Sequence, residues 1–92
     1  MENIIFTNHS LTRCQQRGIS QDVVKFIIKY GNTFNTHEDK KFFINKKRLS
    51  KLTFKEKGFI AKNDKQILNT AVVCNKNVVV SAMKITNHVK WN

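Results

Sequence analysis

Two β-branched runs that almost touch restrict this fold more than any other feature. Residues 67–74 and 78–86 are rich in Val, Ile and Ala, and only Asn75-Lys76-Asn77 separates them. Runs of this kind at this spacing form a β-hairpin, with a turn in which Asn tolerates positive φ. The chain is thereby committed to an antiparallel strand pair. Alternation along the second run puts Val78, Val80, Ala82, Lys84 and Thr86 on one side, and Val79, Ser81, Met83 and Ile85 on the other. Lys84 and Thr86 close an otherwise apolar row, as residues do where a strand leaves a core at a cleft.

Upstream the apolar period lengthens to that of helices. Residues 4–6 read as a short opening strand, and Thr7 or Asn8 caps a helix over residues 9–17 that stops at Gly18. Ser20 caps a second helix, with Asp22 suited to its positive end. In that helix Val23, Val24, Phe26, Ile27 and Tyr30 recur at three and four, and Gly31 ends it. Residues 33–36 and 41–44 then flank Glu38-Asp39-Lys40 as a second hairpin. Residues 46–54 are predicted helical, with Leu49 and Leu52 on one face and Lys47, Lys51 and Lys55 on another. Lys62-Asn63-Asp64-Lys65 reads as a polar break. The predicted order is β-α-α-β-β-α-β-β, a small α+β domain with an antiparallel sheet packed by helices. At 92 residues, without proline, low-complexity stretch or repeat, residues 1–92 are expected to form a single domain.

Several classes of protein are excluded at this point. The longest apolar runs, such as Val78-Val79-Val80 and Phe26-Ile27-Ile28, fall far short of the ~20 residues of a membrane span. The opening residues lack the basic and apolar regions of a secretory signal, so a cytoplasmic location is expected. Cys14 and Cys74 read as buried thiols of a reducing compartment, although the sequence leaves a disulfide open. His9, His37 and His88 lie far apart, and none is spaced with a cysteine as zinc ligands are, so neither metal nor cofactor is expected. His37 and His88 read as exposed residues of a turn and of the C-terminal region.

Charge narrows the partners. Seventeen Lys and Arg stand against six Asp and Glu, a net charge of +11. The excess is uneven: residues 1–38 carry +1, residues 39–65 carry +7 and residues 66–92 carry +3. So much uncompensated positive charge suits a polyanion such as RNA, or an acidic protein that masks it. Lys46, Lys47, Arg48, Lys51 and Lys55 form the candidate nucleic-acid-binding group, because the acids that would balance a merely solvated face are missing except Glu56. The nearby aromatics Phe42, Phe43, Phe54 and Phe59 read as core residues ahead of base-stacking platforms.

Chemistry concentrates in the first helix. At ~100° per residue, His9, Arg13, Gln16 and Arg17 fall on one face, and Leu11, Cys14 and Gly18 on the opposite one. An imidazole titrates near neutral pH and can take or give a proton. Guanidinium groups grip phosphate oxygens by two prongs and stabilise the charge that develops in phosphoryl transfer. RNA supplies its own nucleophile, the 2′-hydroxyl, so such a site needs no metal-activated water. The bland alternative is that a basic face on a short helix is simply solvated.

The segment His9-Ser10-Leu11-Thr12-Arg13-Cys14-Gln15-Gln16-Arg17-Gly18-Ile19-Ser20 resembles the His-x-x-x-Arg-x-x-x-Arg-Gly-Ile-Ser opening of a widespread small bacterial and phage domain. That domain is placed near toxins of the RelE/ParE type, in the barnase–EndoU–colicin–RelE grouping. The resemblance implies a RelE-like fold and, in many relatives, a metal-independent ribonuclease neutralised by a cognate partner. It assigns His9, Arg13 and Arg17 to the family's polar signature. Lys84 and Thr86 occupy the last-strand region, where the family places a basic residue beside an aromatic or hydroxyl; the aromatic is absent here. The expectation is a small endoribonuclease toxin with catalytic residues His9, Arg13, Arg17 and Lys84, acting on RNA, naked or on the ribosome, and masked by an acidic antitoxin. The alternative is a non-catalytic basic module that binds nucleic acid or an acidic protein, including a phage-encoded inhibitor of a host enzyme.

Overall fold

The computed structural model describes residues 4–52 and 56–85. In it, Ser20 starts α2 (Gln21–Tyr30) as its side chain implies. Its Oγ accepts from the N–H groups of Asp22 and Val23 at 3.1 and 3.3 Å, meeting two donors that a helix start leaves unpaired. Val23, Val24, Phe26, Ile27 and Ile28 are buried, and each such side chain contributes roughly 1.5–3 kcal/mol relative to exposure. At the other end the Gly31 N–H donates to the Ile27 carbonyl at 2.7 Å. A Cβ there would run into that carbonyl and lie 2.8 Å from the Phe43 carbonyl, so only glycine permits this close approach.

Among the described residues five strands form one sheet: β1 (Ile5–Phe6), β2 (Asn32–Asn35), β3 (Lys40–Phe43), β4 (Thr70–Asn75) and β5 (Val78–Lys84), in the order β1-β5-β4-β3-β2. The two expected hairpins form, each displaced by a residue or more: residues 36–39 make the first turn, where Thr36 N–H donates to Asp39 O at 2.9 Å. In the second, Lys76 and not an Asn takes the positive φ, at 55°. The sheet is mixed, which corrects the antiparallel expectation. β1 runs parallel to β5, pairing Ile5 with Val78 and Phe6 with Val79. Two residues carry no orientation in their pattern; the Ile5 N–H bond to Asn77 O, 2.9 Å, sets it.

The register aligns Phe42, Val72 and Ala82 across three strands, with Cys74 opposite Val79. These residues join the buried helix side chains in one core. α1 (Asn8–Gln16) lies against β5 and β1, and α2 against β4 and β3. A bulge corrects the expected alternation in β5. Val73 pairs with Ser81 but Cys74 pairs with Val79, so Val80 is the extra residue and is 39% exposed. Val79 and Ala82, three apart, therefore both face the core.

The element order also gains a helix. α3 (Lys46–Leu52) is followed by α4 (Lys57–Leu68), so the order is β-α-α-β-β-α-α-β-β. The expected polar break at residues 62–65 is one solvated turn of α4. Ile60 and Ile67, seven apart, are buried beneath it, and Asn63 Nδ2 donates to Phe59 O at 2.9 Å. Strand β4 accordingly starts at Thr70, not at Ile67. α2 and α4 run antiparallel: Ser20 N–H meets Gln66 Oε1 at 2.7 Å at one end, and Tyr30 OH meets Glu56 Oε1 at 3.3 Å at the other. Among the described residues no helix is long and apolar enough to cross a membrane.

Candidate nucleic-acid interface

The helix α1 is fixed at both ends by its own sequence. Thr7 is the N-cap: its Oγ1 accepts from Ser10 N–H at 3.0 Å, and the fully buried Ser10 hydroxyl donates back to Thr7 O at 2.9 Å. At the far end Gly18 N–H reaches Gln15 O at 3.2 Å and Ile19 N–H reaches Cys14 O at 2.8 Å, the paired bonds of a Schellman ending. Gly18 takes φ +64°, which suits glycine. Ser10 and Cys14 turn inward, His9 is exposed, and Arg13 lies half-buried at the flank of the buried stripe.

The structure divides the predicted row of three. Arg13 Nε lies 3.5 Å from His9 Nε2, a long contact between neighbours one turn apart. Arg17 leaves the pair: its Nη1 donates to the Ala82 carbonyl at 2.8 Å, tying the end of α1 to β5. Arg17 also sets the charge around Cys14. Burial pushes that thiol above its ordinary range, and the Arg17 guanidinium pulls the other way.

Lys84 sits two residues beyond Ala82, exposed at the strand end. It pairs with Thr70, whose buried hydroxyl donates to Gln66 O of α4 at 2.7 Å, so Lys84 lies on the helix-bearing face of the sheet. Ser81 faces the other way, as its alternation with Lys84 requires. Arg17 and Lys84 thus meet one strand.

The second basic group lies elsewhere. Leu49 and Leu52 bury the inner face of α3, and Lys46, Lys47, Arg48 and Lys51 are exposed on it. Asn45 Oδ1 accepts from Arg48 N–H at 2.8 Å, and Arg48 Nε donates to Tyr30 O at 2.9 Å, so Arg48 is partly engaged in holding α3 to the end of α2. Sequence reasoning missed Lys57, Lys62 and Lys65, which are exposed along α4; the signal was the +7 of residues 39–65. Phe42 and Phe43 are buried, as expected of core residues, whereas Phe59 is only half-buried. Lys55, Phe54, Thr86 and His88 lie outside the described residues, and His37 is exposed in the β2–β3 turn.

Cys14 and Cys74 are both buried and unpaired with each other. Among the described residues no three of His, Cys, Asp and Glu converge on a point. No protein-family model matches the chain, and no curated protein or solved structure is significantly similar to it. Function is therefore argued from the site's own residues.

Proposed function

We propose that this chain binds RNA and cleaves it without a metal, as the RelE-like toxin of a toxin–antitoxin pair acting in the cytoplasm. The observation that carries the reading is the exposed His9 imidazole held one turn from Arg13, 3.5 Å apart, on a chain of net charge +11. In this reading the His9 imidazole takes the proton of a ribose 2′-hydroxyl. The 2′-oxygen attacks the adjacent phosphorus, the bond to the 5′-oxygen breaks, and that oxygen takes a proton from solvent water. The products are a 2′,3′-cyclic phosphate and a 5′-hydroxyl. Arg13 holds the non-bridging oxygens, whose charge grows as the fifth bond forms. Arg17 positions the end of α1 on β5, where Lys84 adds positive charge. The exposed lysines of α3 and α4 track the backbone, and an acidic antitoxin covers the same surface.

Bulk RNA incubated in EDTA tests this, with translating ribosomes as the second substrate. Wild type should yield cyclic-phosphate ends, and His9→Gln should lose about 100-fold or more in rate, the usual worth of a positioned acid or base. No cleavage of either substrate, or equal cleavage by His9→Gln, removes the assignment.

One observation favours a second reading, a non-catalytic module for nucleic acid or an acidic protein. The bond from Arg17 to Ala82 leaves α1 one imidazole and one guanidinium, in contact with each other, in place of the expected three groups. That reading expects RNA to stay intact and affinity to fall steeply with salt while surviving His9→Gln.

A further inference from the structure

A cleft of about 290 Å³ opens between α2 and the first turn of α4. It is distinct from the α1 face. Its floor is Phe26, whose ring lies 4.9 Å from that of Tyr30 and 5.0 Å from that of Phe59, the latter pair inclined by only 27°. Phe26 is buried, while Tyr30 and Phe59 are each half-exposed and flank the opening. Lys25 and Lys29 stand on its α2 side, with Lys29 Nζ 5.2 Å from the Tyr30 ring centre. The Glu56 carboxylate accepts from Tyr30 OH at 3.3 Å, and Asp22 completes the wall.

We propose that this cleft receives one unstacked nucleobase of a single-stranded RNA whose phosphates run along α3. The inference deepens the RNA reading above and rests on it. Aromatic faces at the opening suit a planar ring, which stacks on them whatever its identity. The carboxylates of Asp22 and Glu56 in its wall can accept hydrogen bonds from the amino and imino groups of base edges. Those same carboxylates repel a phosphate or an acidic side chain, so the negative part of a ligand stays at the lysine rim. Arg48 bonds the Tyr30 carbonyl at 2.9 Å, which places the exposed cations of α3 at the end of the cleft. A cavity near the lower limit of ligand pockets accepts one ring system and little more. Paired bases are hidden in a duplex, so the cleft selects single strands.

The test measures binding of fluorescein-labelled single-stranded RNA and of a blunt RNA duplex by full-length wild type and Phe59→Leu, which keeps an apolar side chain. Stacking of one base predicts that Phe59→Leu binds the single strand about fivefold or more weakly, with duplex affinity unchanged. Wild type that binds neither RNA overturns the RNA reading itself. Wild type that binds both, with Phe59→Leu unaltered or weakened equally on both, overturns the cleft alone. So does loss of an acidic protein partner by Phe59→Leu with single-strand affinity intact. If Phe59→Leu fails to fold, photocrosslinking of wild type to a 4-thiouridine strand decides. Adducts on Tyr30, Lys29 or Phe59 support the cleft, and adducts confined to α1 overturn it.

Discussion

Arg17→Met should unfold more readily than wild type, although Arg17 belongs to the row that marks the site. Beyond Val79 no described strand flanks β5 on the side of β1, because β1 pairs only with Val78 and Val79. The Ala82 carbonyl is met instead by Arg17 Nη1 at 2.8 Å. A hydrogen bond from a charged donor is worth ~1.5–3 kcal/mol. Arg17 is only partly buried, so water replaces some of that on truncation, leaving a loss of about 1–2 kcal/mol. For a domain of this size that lowers the thermal midpoint by roughly 5–15 °C. Methionine keeps the unbranched stem, so the change isolates the bond from the packing. The assay is urea unfolding followed by circular dichroism, with His9→Gln and Arg13→Met as companions. Among the described residues neither His9 nor Arg13 bonds another element through its side chain, and both companions should lose less than about 1 kcal/mol relative to wild type. An Arg17→Met protein as stable as wild type would refute the clamp and return Arg17 to the phosphate-binding row.

Three further outcomes follow from single residues. Gly31→Ala should cost about 2–4 kcal/mol, since backbone atoms of Ile27 and Phe43 crowd its Cβ, whereas Gly18→Ala, with open space around it, should cost only the ~1 kcal/mol of a left-handed residue; urea midpoints of the pair would separate the two effects, and equal losses would contradict them. Lys76→Asn should stabilise by about 0.5–1 kcal/mol, because Asn tolerates the φ of 55° better than Lys; an unchanged or lower thermal midpoint would count against this. The Cys74 thiol is pushed up to about 11, first by burial and then by the charge of Asp39. It should resist a thiol reagent at pH 8 in the folded protein and react fully in denaturant. Because its folded value is raised, the stability it contributes is complete below about pH 9 and is lost as pH rises towards 11.

Local signals carried the elements that rest on local chemistry. Ser20, Gly31 and the apolar stripe between them specify α2 without help from the rest of the chain, and the Val-rich pair specifies the β4–β5 hairpin. α4 was hidden because Lys62-Asn63-Asp64-Lys65 spans about one helical turn. In isolation four polar residues look like a loop, and only Ile60 and Ile67 on either side show the helical period. The direction of β1 and the bulge at Val80 are products of pairing, which no single strand encodes. At the site, spacing correctly put His9 and Arg13 side by side. It could not foresee that a short first strand would leave the Ala82 carbonyl for Arg17 to meet.

The sheet order has a temporal consequence. β5 lies inside the sheet, between β1 and β4, yet among the described strands it is the last to be synthesised. Until residues 78–84 emerge, the opening strand has nothing to lie beside and α1 has no floor. Contacts between such distant parts of a chain form slowly. A nascent chain therefore holds its His9–Arg13 pair on an undocked helix until residues 78–84 have been made.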